Sequence, residues 1–304
     1  MRILVTGGLG AIGKPLSEEL RRRGHEVWVS DKVHSNESYY SRCDVGEFHQ
    51  VENLFTGVEF DYVYHLAAEF GRRNGEDFYE TLWKTNAIGT KNILKLQERL
   101  KFKMIFTSSS EVYGDYRGIM SENVMDEIAV TQLNDYAMTK RVNEMQILNS
   151  AEKFGTETVR VRLFNTYGPG EHYSEYRSAV CVFIYRALHA LPYTVYTKHK
   201  RTSSYIDDTV STLANIVDNC KFGEVYNIAG SELHDMKRVS DIILGYLGKD
   251  DSLVEYHDTE EATALEKNVD VSKAVRDLGH QSTVALEDGI PQTINWQKEV
   301  YGCD

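Results

Sequence analysis

The feature that most constrains the fold of this 304-residue chain is a glycine-rich turn that follows its first apolar segment. Residues 2–6 predict a short buried strand, and residues 12–23 carry apolar side chains at helical spacing. Between them, Gly7 permits a tight turn, Gly10 allows the close approach of a pyrophosphate, and Gly13 lets the helix pack against the strand. The amides at the start of the helix then face the anion. This context favours a dinucleotide site over an ordinary glycine-rich turn.

An acidic residue after the second predicted strand indicates which dinucleotide binds. Residues 26–30 predict that strand, and Asp31 follows it. A carboxylate here accepts hydrogen bonds from the adenosine ribose and repels a 2′-phosphate, so we expect NAD rather than NADP. Lys32 works against this preference, because a cation beside the ribose can accommodate the 2′-phosphate of NADP. The alternative for Asp31 is that it is a surface residue that caps a turn. Asp44 and Val45 are expected beside the adenine, with a plain loop as the alternative.

Strands and helices alternate over the first half of the chain. Further strands are predicted at 61–66, 103–108 and 157–163, and helices at 87–98 and 135–154. This alternation predicts a parallel sheet covered by helices on both faces, that is, an α/β fold with a Rossmann-type doubly wound parallel sheet.

Beyond about residue 166 the alternation loosens, which predicts a smaller C-terminal α/β substrate lobe. The predicted elements there are helices at 178–190, 207–219 and 237–247, strands at 193–196 and 224–228, and a charged, loop-rich segment at 249–268. We expect residues 1–165 to form the NAD-binding domain, with the strand near 224–228 returning to it. Residues 166–304 would mainly form the substrate lobe. No Gly/Ser-rich linker separates the two, so we expect them to share a cleft.

Charge and composition exclude several classes of function. The net charge of −12 argues against nucleic-acid binding, which needs a basic surface. No apolar run approaches the roughly 18 residues that span a bilayer, and the chain enters a strand at once, so we expect a cytoplasmic protein without a signal peptide. The spacing of the histidines and of the four cysteines fits neither a metal site nor a disulfide framework. We therefore expect no metal, and reduced thiols.

Tyr136 and Lys140 are spaced i, i+4 on a predicted helix, so both side chains project from one face. A lysine ammonium and the positive ring of NAD would both lower the pKa of the phenol, which predicts a base that accepts a hydroxyl proton. Alone, such a pair is more often a helix-surface pair. The run Ser108 to Ser110, at the carboxyl end of a predicted strand, places a candidate proton relay where open parallel sheets bind ligands. The alternative is a polar strand end.

These motifs together resemble the extended short-chain dehydrogenase/reductase family, in its NAD-dependent nucleotide-sugar epimerase/dehydratase branch. The resemblance covers nearly the whole chain. It rests on the TGGxGxxG run at 6–13, the sequence HLAA at 65–68, Asn86 with Gly89-Thr90, the SSSEVYG run at 108–114, Tyr136 with Lys140, the sequence RLFNTYGP at 162–169, and Arg201 with the sequence YIDD at 205–208. It implies that the substrate is a nucleotide-diphosphate sugar, bound mainly by the C-terminal lobe.

The resemblance also implies roles for individual residues. The expected catalytic residues are Ser109, Ser110, Glu111, Tyr136 and Lys140, with Tyr136 as the base. The expected cofactor-binding residues are Gly7, Gly10, Ala11, Ile12, Gly13, Asp31, Lys32, Asp44, Val45, Leu66, Ala67, Ala68, Asn86, Tyr136 and Lys140. The expected substrate-binding residues are Glu69, Asn165, Arg177, Arg201 and Lys267. Helices 87–100 and 135–154 resemble the pair that builds the dimer interface in this family, so we expect a homodimer.

The sequence departs from the family pattern at two places. Lys267, three residues before Asp270, stands where the family has an arginine. The segment 69–80 matches no pattern, although it should border the sugar.

The family performs several reactions that share oxidation at C4 of the sugar. Glu111 lies two residues after Ser109, and strand alternation would place both on one face, where the glutamate could exchange the C5 proton. On this basis the sequence favours a 4,6-dehydratase. A 4-epimerase and a UDP-glucuronate decarboxylase are alternatives, the latter with Arg177 near the carboxylate, and so is a turn-capping role for Glu111. A non-catalytic NAD-binding regulator is an alternative of another class.

Overall fold

The structure, a computed structural model, describes residues 1–219 and 221–303, and it contains an α/β fold around one parallel sheet. The strands are β1 (Arg2–Thr6), β2 (Glu26–Asp31), β3 (Tyr40–Arg42), β4 (Tyr62–His65), β5 (Lys103–Ser109), β6 (Ile119–Met120), β7 (Thr158–Leu163), β8 (Thr166–Tyr167), β9 (Tyr193–Tyr196), β10 (Lys200–Thr202), β11 (Ser204–Tyr205), β12 (Val225–Ile228), β13 (Leu233–Asp235), β14 (Val254–His257) and β15 (Asn268–Val269). The helices are α1 (Gly13–Arg22), α2 (Phe48–Leu54), α3 (Arg72–Asp77), α4 (Tyr79–Trp83), α5 (Gly89–Leu100), α6 (Val124–Glu127), α7 (Asp135–Phe154), α8 (Ala179–Leu188), α9 (Ile206–Asn219), α10 (Met236–Leu247), α11 (Ser272–Leu278) and α12 (Leu286–Tyr301).

The seven-stranded sheet has the order β12-β7-β5-β4-β1-β2-β3, and all its neighbours are parallel. The chain winds outward from β1 in one direction and then returns to continue from β4 in the other. The strand order therefore reverses between β1 and β4, and a doubly wound sheet binds ligands outside the strand ends at such a point. This arrangement confirms the predicted α/β Rossmann-type fold.

Alternating side chains of the central strands supply two apolar cores, one on each face of the sheet. Ile3 and Val5 of β1 belong to one core, and Leu4 between them belongs to the other. The first core also receives Leu16 of α1 and Leu213 of α9. Helices α2, α5 and α7 cover the second face. The near-continuous apolar character of the strands thus follows from burial on both sides.

The C-terminal part of the chain is built from short ladders and three helices that pack together. Strand β9 pairs with β14, β10 with β13, β8 with β11, and β6 with β15. Helices α8, α10 and α12 pack against one another in the first core, which includes Ile184, Ile243 and Ile290. Strand β12 leaves this part of the chain and pairs with β7 at the edge of the main sheet. The division into domains at residue 166 stays a prediction.

Three differences from the expected elements have simple reasons. The segment 69–80, which matched no pattern, contains α3 and begins α4. The segment 249–268 was expected to be loop-rich, but it contains β14, which pairs with β9. Helix α12 was not predicted, although Leu286, Ile290 and Ile294 repeat at helical spacing.

Cys43 and Cys181 are buried, Cys303 is partly exposed, and Cys220 lies outside the described residues. Within residues 1–219 and 221–303, no helix has the length and apolar character needed to cross a membrane.

Candidate active site

A cavity of about 900 Å³ runs along the carboxyl ends of β1, β2, β4 and β5 and continues between the sheet and the C-terminal part of the chain. Every residue predicted to belong to the site lines this cavity, except Asn86. Residues far apart in the sequence are therefore brought to one place, because parallel strands end at the same edge of the sheet.

The glycine turn forms one end of the cavity. Gly7 has a φ of +69°, and a Cβ there would lie 2.7 Å from the Ala67 nitrogen. A Cβ on Gly13 would lie 2.2 Å from the Gly7 oxygen. Side chains are thus excluded where the backbone passes closest to the cavity, and the N-terminus of α1 opens onto it. These residues fit the pyrophosphate of NAD.

The Asp31 carboxylate is held at the end of β2. Its Oδ2 accepts a hydrogen bond from the Leu9 N–H at 3.2 Å, and its Oδ1 accepts one from the Lys32 N–H at 2.8 Å. The Lys32 ammonium turns instead to Glu69, with its Nζ 2.5 Å from Oε1. The cation that could tolerate a 2′-phosphate is thus already paired. This geometry supports the preference for NAD.

Asn86, expected to contact the cofactor, is buried away from the cavity. Its Oδ1 accepts from the Glu69 N–H at 2.8 Å, and its Nδ2 donates to the Glu69 carbonyl at 3.0 Å and to Thr139 Oγ1 at 3.1 Å. The oxygen and the nitrogen of the side-chain amide are therefore both hydrogen-bonded within the protein. Asn86 positions the backbone of Glu69, and the geometry does not support a direct cofactor contact.

Tyr136 and Lys140 project from the first turns of α7 towards the end of β5. The Lys140 Nζ donates to the Thr107 carbonyl at 2.8 Å and lies 5.8 Å from the centre of the Tyr136 ring. Burial raises the pKa of Tyr136 to about 12, against the lowering effect of its hydrogen bond with Ser109. Within the protein itself, burial and the charge of Glu111 thus raise this pKa more than the Ser109 hydrogen bond lowers it, and the lowering by Lys140 together with NAD stays a prediction.

Ser109 and Glu111 do not lie on one face of a strand, as strand alternation suggested. Strand β5 ends at Ser109, and Ser110 to Tyr113 form one turn of 3₁₀ helix. The Ser109 hydroxyl caps this turn by accepting from the Glu111 N–H at 3.2 Å. Both side chains still reach the cavity, because the turn lies directly above the end of the strand.

The Glu111 carboxylate is surrounded by cations. The Lys267 ammonium lies 2.5 Å from its Oε1 and also donates to Ser110 Oγ at 3.2 Å, and Arg72 Nε lies 4.0 Å from Oε1. Burial raises the pKa of Glu111, but Lys267 and Arg72 outweigh it, so the pKa is well below its usual range. Burial lowers the pKa of Lys267 despite the attraction of Glu111. The carboxylate is thus a weak base held in an ion pair.

Two further cations border the cavity. Arg201 donates to the carbonyls of Lys200 and Leu265 and to Thr263 Oγ1, and no carboxylate pairs with it among residues 1–219 and 221–303. Burial lowers the pKa of Arg201 to about 10. The Arg177 guanidinium lies 3.9 Å from the centre of the Phe70 ring. The cavity therefore suits a ligand with several negative charges.

Sequence reasoning missed three residues of this region. Arg72 and Glu260 come from segments that carried no recognised pattern. Glu144 lies four residues after Lys140 on the same face of α7, so helical spacing could have revealed it. Its carboxylate accepts from Ser108 Oγ at 2.6 Å and from Arg162 Nη2 at 2.8 Å. This buried pair ties the helix that carries Tyr136 to the sheet.

Comparisons with known proteins agree with this geometry. A family model described as "NAD dependent epimerase/dehydratase family" matches residues 3–229. The UDP-N-acetyl-alpha-D-glucosaminuronate decarboxylase of Bacillus cytotoxicus is 31% identical over 98% of both chains. The UDP-glucuronic acid decarboxylase 1 of Xenopus tropicalis is 29% identical over 97% of this chain and 72% of its own length.

Solved structures show the same fold. The UDP-glucuronic acid 4-epimerase of Bacillus cereus, solved with UDP-glucuronic acid and NAD, has a TM-score of 0.86 at 25% identity, covering 99% of this chain and 100% of that one. The dTDP-glucose 4,6-dehydratase of Streptomyces venezuelae has a TM-score of 0.89 at 23% identity, covering 99% of this chain and 98% of that one. At that identity the second likeness concerns the fold alone.

Proposed function

The chain belongs to the NAD-dependent epimerase/dehydratase family of nucleotide-sugar enzymes, and we propose that within it the protein decarboxylates a UDP-linked uronic acid. The product would be the corresponding UDP-pentose. The nucleotide and the uronic acid are inferred from the decarboxylases that this chain resembles along nearly its whole length.

One observation carries the choice of reaction, namely the buried ion pair between Glu111 and Lys267. A 4,6-dehydratase needs a carboxylate that accepts the C5 proton. Glu111 is poorly suited to that task, because Lys267 and Arg72 lower its pKa and Lys267 occupies one of its oxygens. A decarboxylase needs cations near the sugar carboxylate and a proton donor for C5. Lys267 can serve as the proton donor for C5. The geometry therefore supports decarboxylation better than the dehydratase reaction that the sequence favoured.

The cofactor would be held by the glycine turn, Asp31, Tyr136 and Lys140. The chemistry that NAD supplies when bound is the reversible acceptance of hydride from C4 of the sugar. Tyr136 is the group that takes the C4 hydroxyl proton, with Ser109 as its hydrogen-bonded partner. Because burial alone raises the pKa of Tyr136, this role depends on positive charge next to the phenol, which Lys140 and the nicotinamide ring provide.

The resulting 4-keto uronic acid is a β-keto acid. The C5–C6 bond breaks, carbon dioxide leaves, and the electron pair is delocalised onto the C4 oxygen as an enolate. The Tyr136 and Ser109 hydroxyls are hydrogen-bond donors suited to that oxygen. The Lys267 ammonium then donates a proton to C5 and takes up another proton from solvent. The C4 ketone would finally regain the hydride while Tyr136 returns its proton to the C4 oxygen, which gives the UDP-pentose. Glu111 stabilises the ammonium form, since its charge raises the pKa of Lys267.

A second candidate is 4-epimerisation of the same uronic acid. It is favoured by the likeness to the UDP-glucuronic acid 4-epimerase, which shares the fold over 99% of this chain. That reaction also needs Tyr136, but it needs no proton donor at C5. The position of Lys267 therefore favours decarboxylation.

The test is to incubate the protein and NAD with UDP-glucuronate, UDP-N-acetylglucosaminuronate and UDP-glucose in deuterated water, and to follow product mass. We expect carbon dioxide and one solvent deuterium at C5 from a uronate. Loss of water from UDP-glucose would instead establish a dehydratase, and an unchanged mass with inverted C4 would establish an epimerase.

Variants at two lysines test the proton donor. Lys267→Met should slow the formation of the UDP-pentose by roughly 10²-fold or more, because that is the usual contribution of an acid–base group. The matched control is Lys200→Met, because Lys200 is half-exposed and lies outside the cavity. Equal rates for the two variants would exclude Lys267 as the donor.

A further inference from the structure

Arg72, in the segment that matched no sequence pattern, lies at the part of the cavity that holds Glu111. It is the first residue of α3 and follows Gly71, which has a φ of +89°. A Cβ on Gly71 would lie 3.0 Å from the Tyr176 carbonyl oxygen. The turn therefore brings the chain close to the loop before α8, and the start of α3 lines the same cavity as Glu111.

The Arg72 guanidinium bridges two carboxylates. Its Nη2 donates to Glu260 Oε2 at 2.7 Å, and its Nε lies 4.0 Å from Glu111 Oε1. The side chain is 24% exposed and lines the cavity, and no hydrogen bond joins its Nη1 to any residue in the described part of the chain. Arg72 is thus fixed on one side and retains a donor for a ligand.

Glu260 holds Arg72 in this position. Its backbone N–H donates to His199 Nε2 at 2.8 Å, and its Oε1 accepts from Arg73 Nη2 at 3.3 Å. The adjacent loop is also tied to α7, because Asn134 Nδ2 donates to the Ala262 carbonyl at 3.2 Å. The carboxylate that orients Arg72 is therefore itself fixed by neighbours from two other parts of the chain.

The charges around this point do not balance. Two carboxylates, Glu111 and Glu260, are surrounded by four cations, namely Arg72, Arg73, Arg201 and Lys267. An uncompensated positive charge in a partly buried pocket is costly, and an anionic group of a ligand removes that cost. A guanidinium suits a carboxylate in particular, because its planar donors match the two oxygens.

We propose that Arg72, positioned by Glu260, binds the C6 carboxylate of the sugar and thereby selects a uronic acid over the neutral hexose. This inference rests on the proposed function, since it concerns the substrate of the same site. Arg72 is a specificity residue, and Glu260 is a positioning residue that acts through it.

The test compares two ligands that differ only at C6, UDP-glucuronate and UDP-glucose. Their affinities are measured by calorimetry on NAD-loaded protein in a Tyr136→Phe background, so that neither ligand is consumed. Arg72→Gln should weaken UDP-glucuronate binding by about tenfold to a hundredfold, the range for a hydrogen bond to a charged group, and leave UDP-glucose unchanged. Glu260→Gln should weaken UDP-glucuronate binding in the same direction by a smaller factor.

Arg99→Gln is the matched control, because Arg99 also pairs with a glutamate, Glu52, but is 58% exposed and lies outside the cavity. It should leave the preference for UDP-glucuronate intact. An unchanged melting temperature and an unchanged affinity for UDP-glucose show that Arg72→Gln is folded. Equal weakening of both ligands, or of neither, in the Arg72 variant would overturn the proposal.

The decarboxylation assay on protein that retains Tyr136, compared with the binding measurements, separates this inference from the proposed function. If the otherwise unmodified protein releases carbon dioxide from UDP-glucuronate but Arg72→Gln keeps the full preference, the decarboxylase stands and the role of Arg72 does not. If it releases no carbon dioxide from either uronate yet the preference depends on Arg72, the carboxylate site stands and the decarboxylase does not.

Discussion

The Lys267 ammonium lies 2.5 Å from the Glu111 carboxylate, although the two residues are 156 positions apart in the chain. Glu111 follows a strand of the main sheet, and Lys267 comes from the C-terminal part. Each of these charges offsets part of the cost of burying the other. In the proposed reaction, the acid–base chemistry at C5 would therefore depend on the docking of the C-terminal segments against the end of β5.

The first prediction concerns the cofactor. NAD should bind more tightly than NADP, because the Asp31 carboxylate at the end of β2 repels a 2′-phosphate. The Lys32 ammonium, which could attract that phosphate, is paired with Glu69. Asp31→Ala should narrow the ratio of the two affinities by roughly tenfold, the value of one hydrogen bond to a charged group. Fluorescence titration measures both constants, and Asp258→Ala, at an exposed position, is the control. Equal affinities in the unmodified protein would exclude this role for Asp31.

The second prediction concerns the base. Tyr136→Phe keeps the ring and removes the only atom that can accept a proton. Turnover should fall by roughly 10²-fold or more while NAD binding survives. Tyr79→Phe is the control, because that side chain is exposed and, in the described part of the chain, its hydroxyl donates a hydrogen bond to Glu80 alone. A Tyr136 variant with a rate close to that of the unmodified protein would show that another group is the base.

The third prediction concerns pH. Burial lowers the pKa of Lys140 to about 8, and the charge of Glu144 partly opposes this. The ammonium is present below that pH and is lost as the pH rises through it, so turnover should fall on the alkaline side of about pH 8. Glu144→Gln removes the opposing charge and should move this limb to lower pH. The measurement is the pH profile of kcat for both proteins. An alkaline limb at the same pH in Glu144→Gln and in the unmodified protein would show that Glu144 does not influence the pKa of Lys140.

The fourth prediction concerns stability. Glu144→Gln should reduce the free energy of unfolding by roughly 3–5 kcal/mol, because it leaves the buried Arg162 charge without the carboxylate that neutralises it. The exposed pair of Glu52 and Arg99 provides the control, since Glu52→Gln should cost less than about 1 kcal/mol. Urea unfolding measures both values.

The same pair also gives a dependence of stability on pH. Burial raises the pKa of Glu144, but Arg162 and Ser108 outweigh it, so the folded-state pKa is lower than the unfolded one. The stabilisation is therefore present above the unfolded pKa and is lost as the pH falls through the folded pKa. The difference between Glu144→Gln and the unmodified protein should shrink in acid.

The fifth prediction concerns assembly. Helix α7 exposes Met138, Met145 and Leu148, at 41%, 57% and 44%, beside α5. An apolar strip of this kind on the helices expected to form the interface predicts a homodimer. Light scattering should show the dimer at micromolar concentration, and Met145→Asp should give a monomer, whereas Leu253→Asp should not. A monomeric unmodified protein would contradict the prediction.

Local patterns were sufficient for most of the fold. The glycine turn and helical spacing predicted β1 and α1, and the predicted bounds 135–154 and 193–196 agree with α7 and β9. These features could be predicted because burial on one face repeats at the period of the local structure. The same reasoning placed Tyr136 and Lys140 together on one helix face, one turn apart.

The contacts that determine the chemistry were decided only by the tertiary structure. The sequence by itself determined the dinucleotide turn, the parallel sheet and the positions of Ser109 and Tyr136 at its carboxyl edge. It did not determine that Lys267 pairs with Glu111, or that Arg72 is held by Glu260. Periodicity and glycine positions act over a few residues, whereas an ion pair forms wherever folding brings opposite charges together in a place without water. The folded chain therefore decides which cation each carboxylate pairs with, so that Glu111 is a poor base and Glu260 orients Arg72.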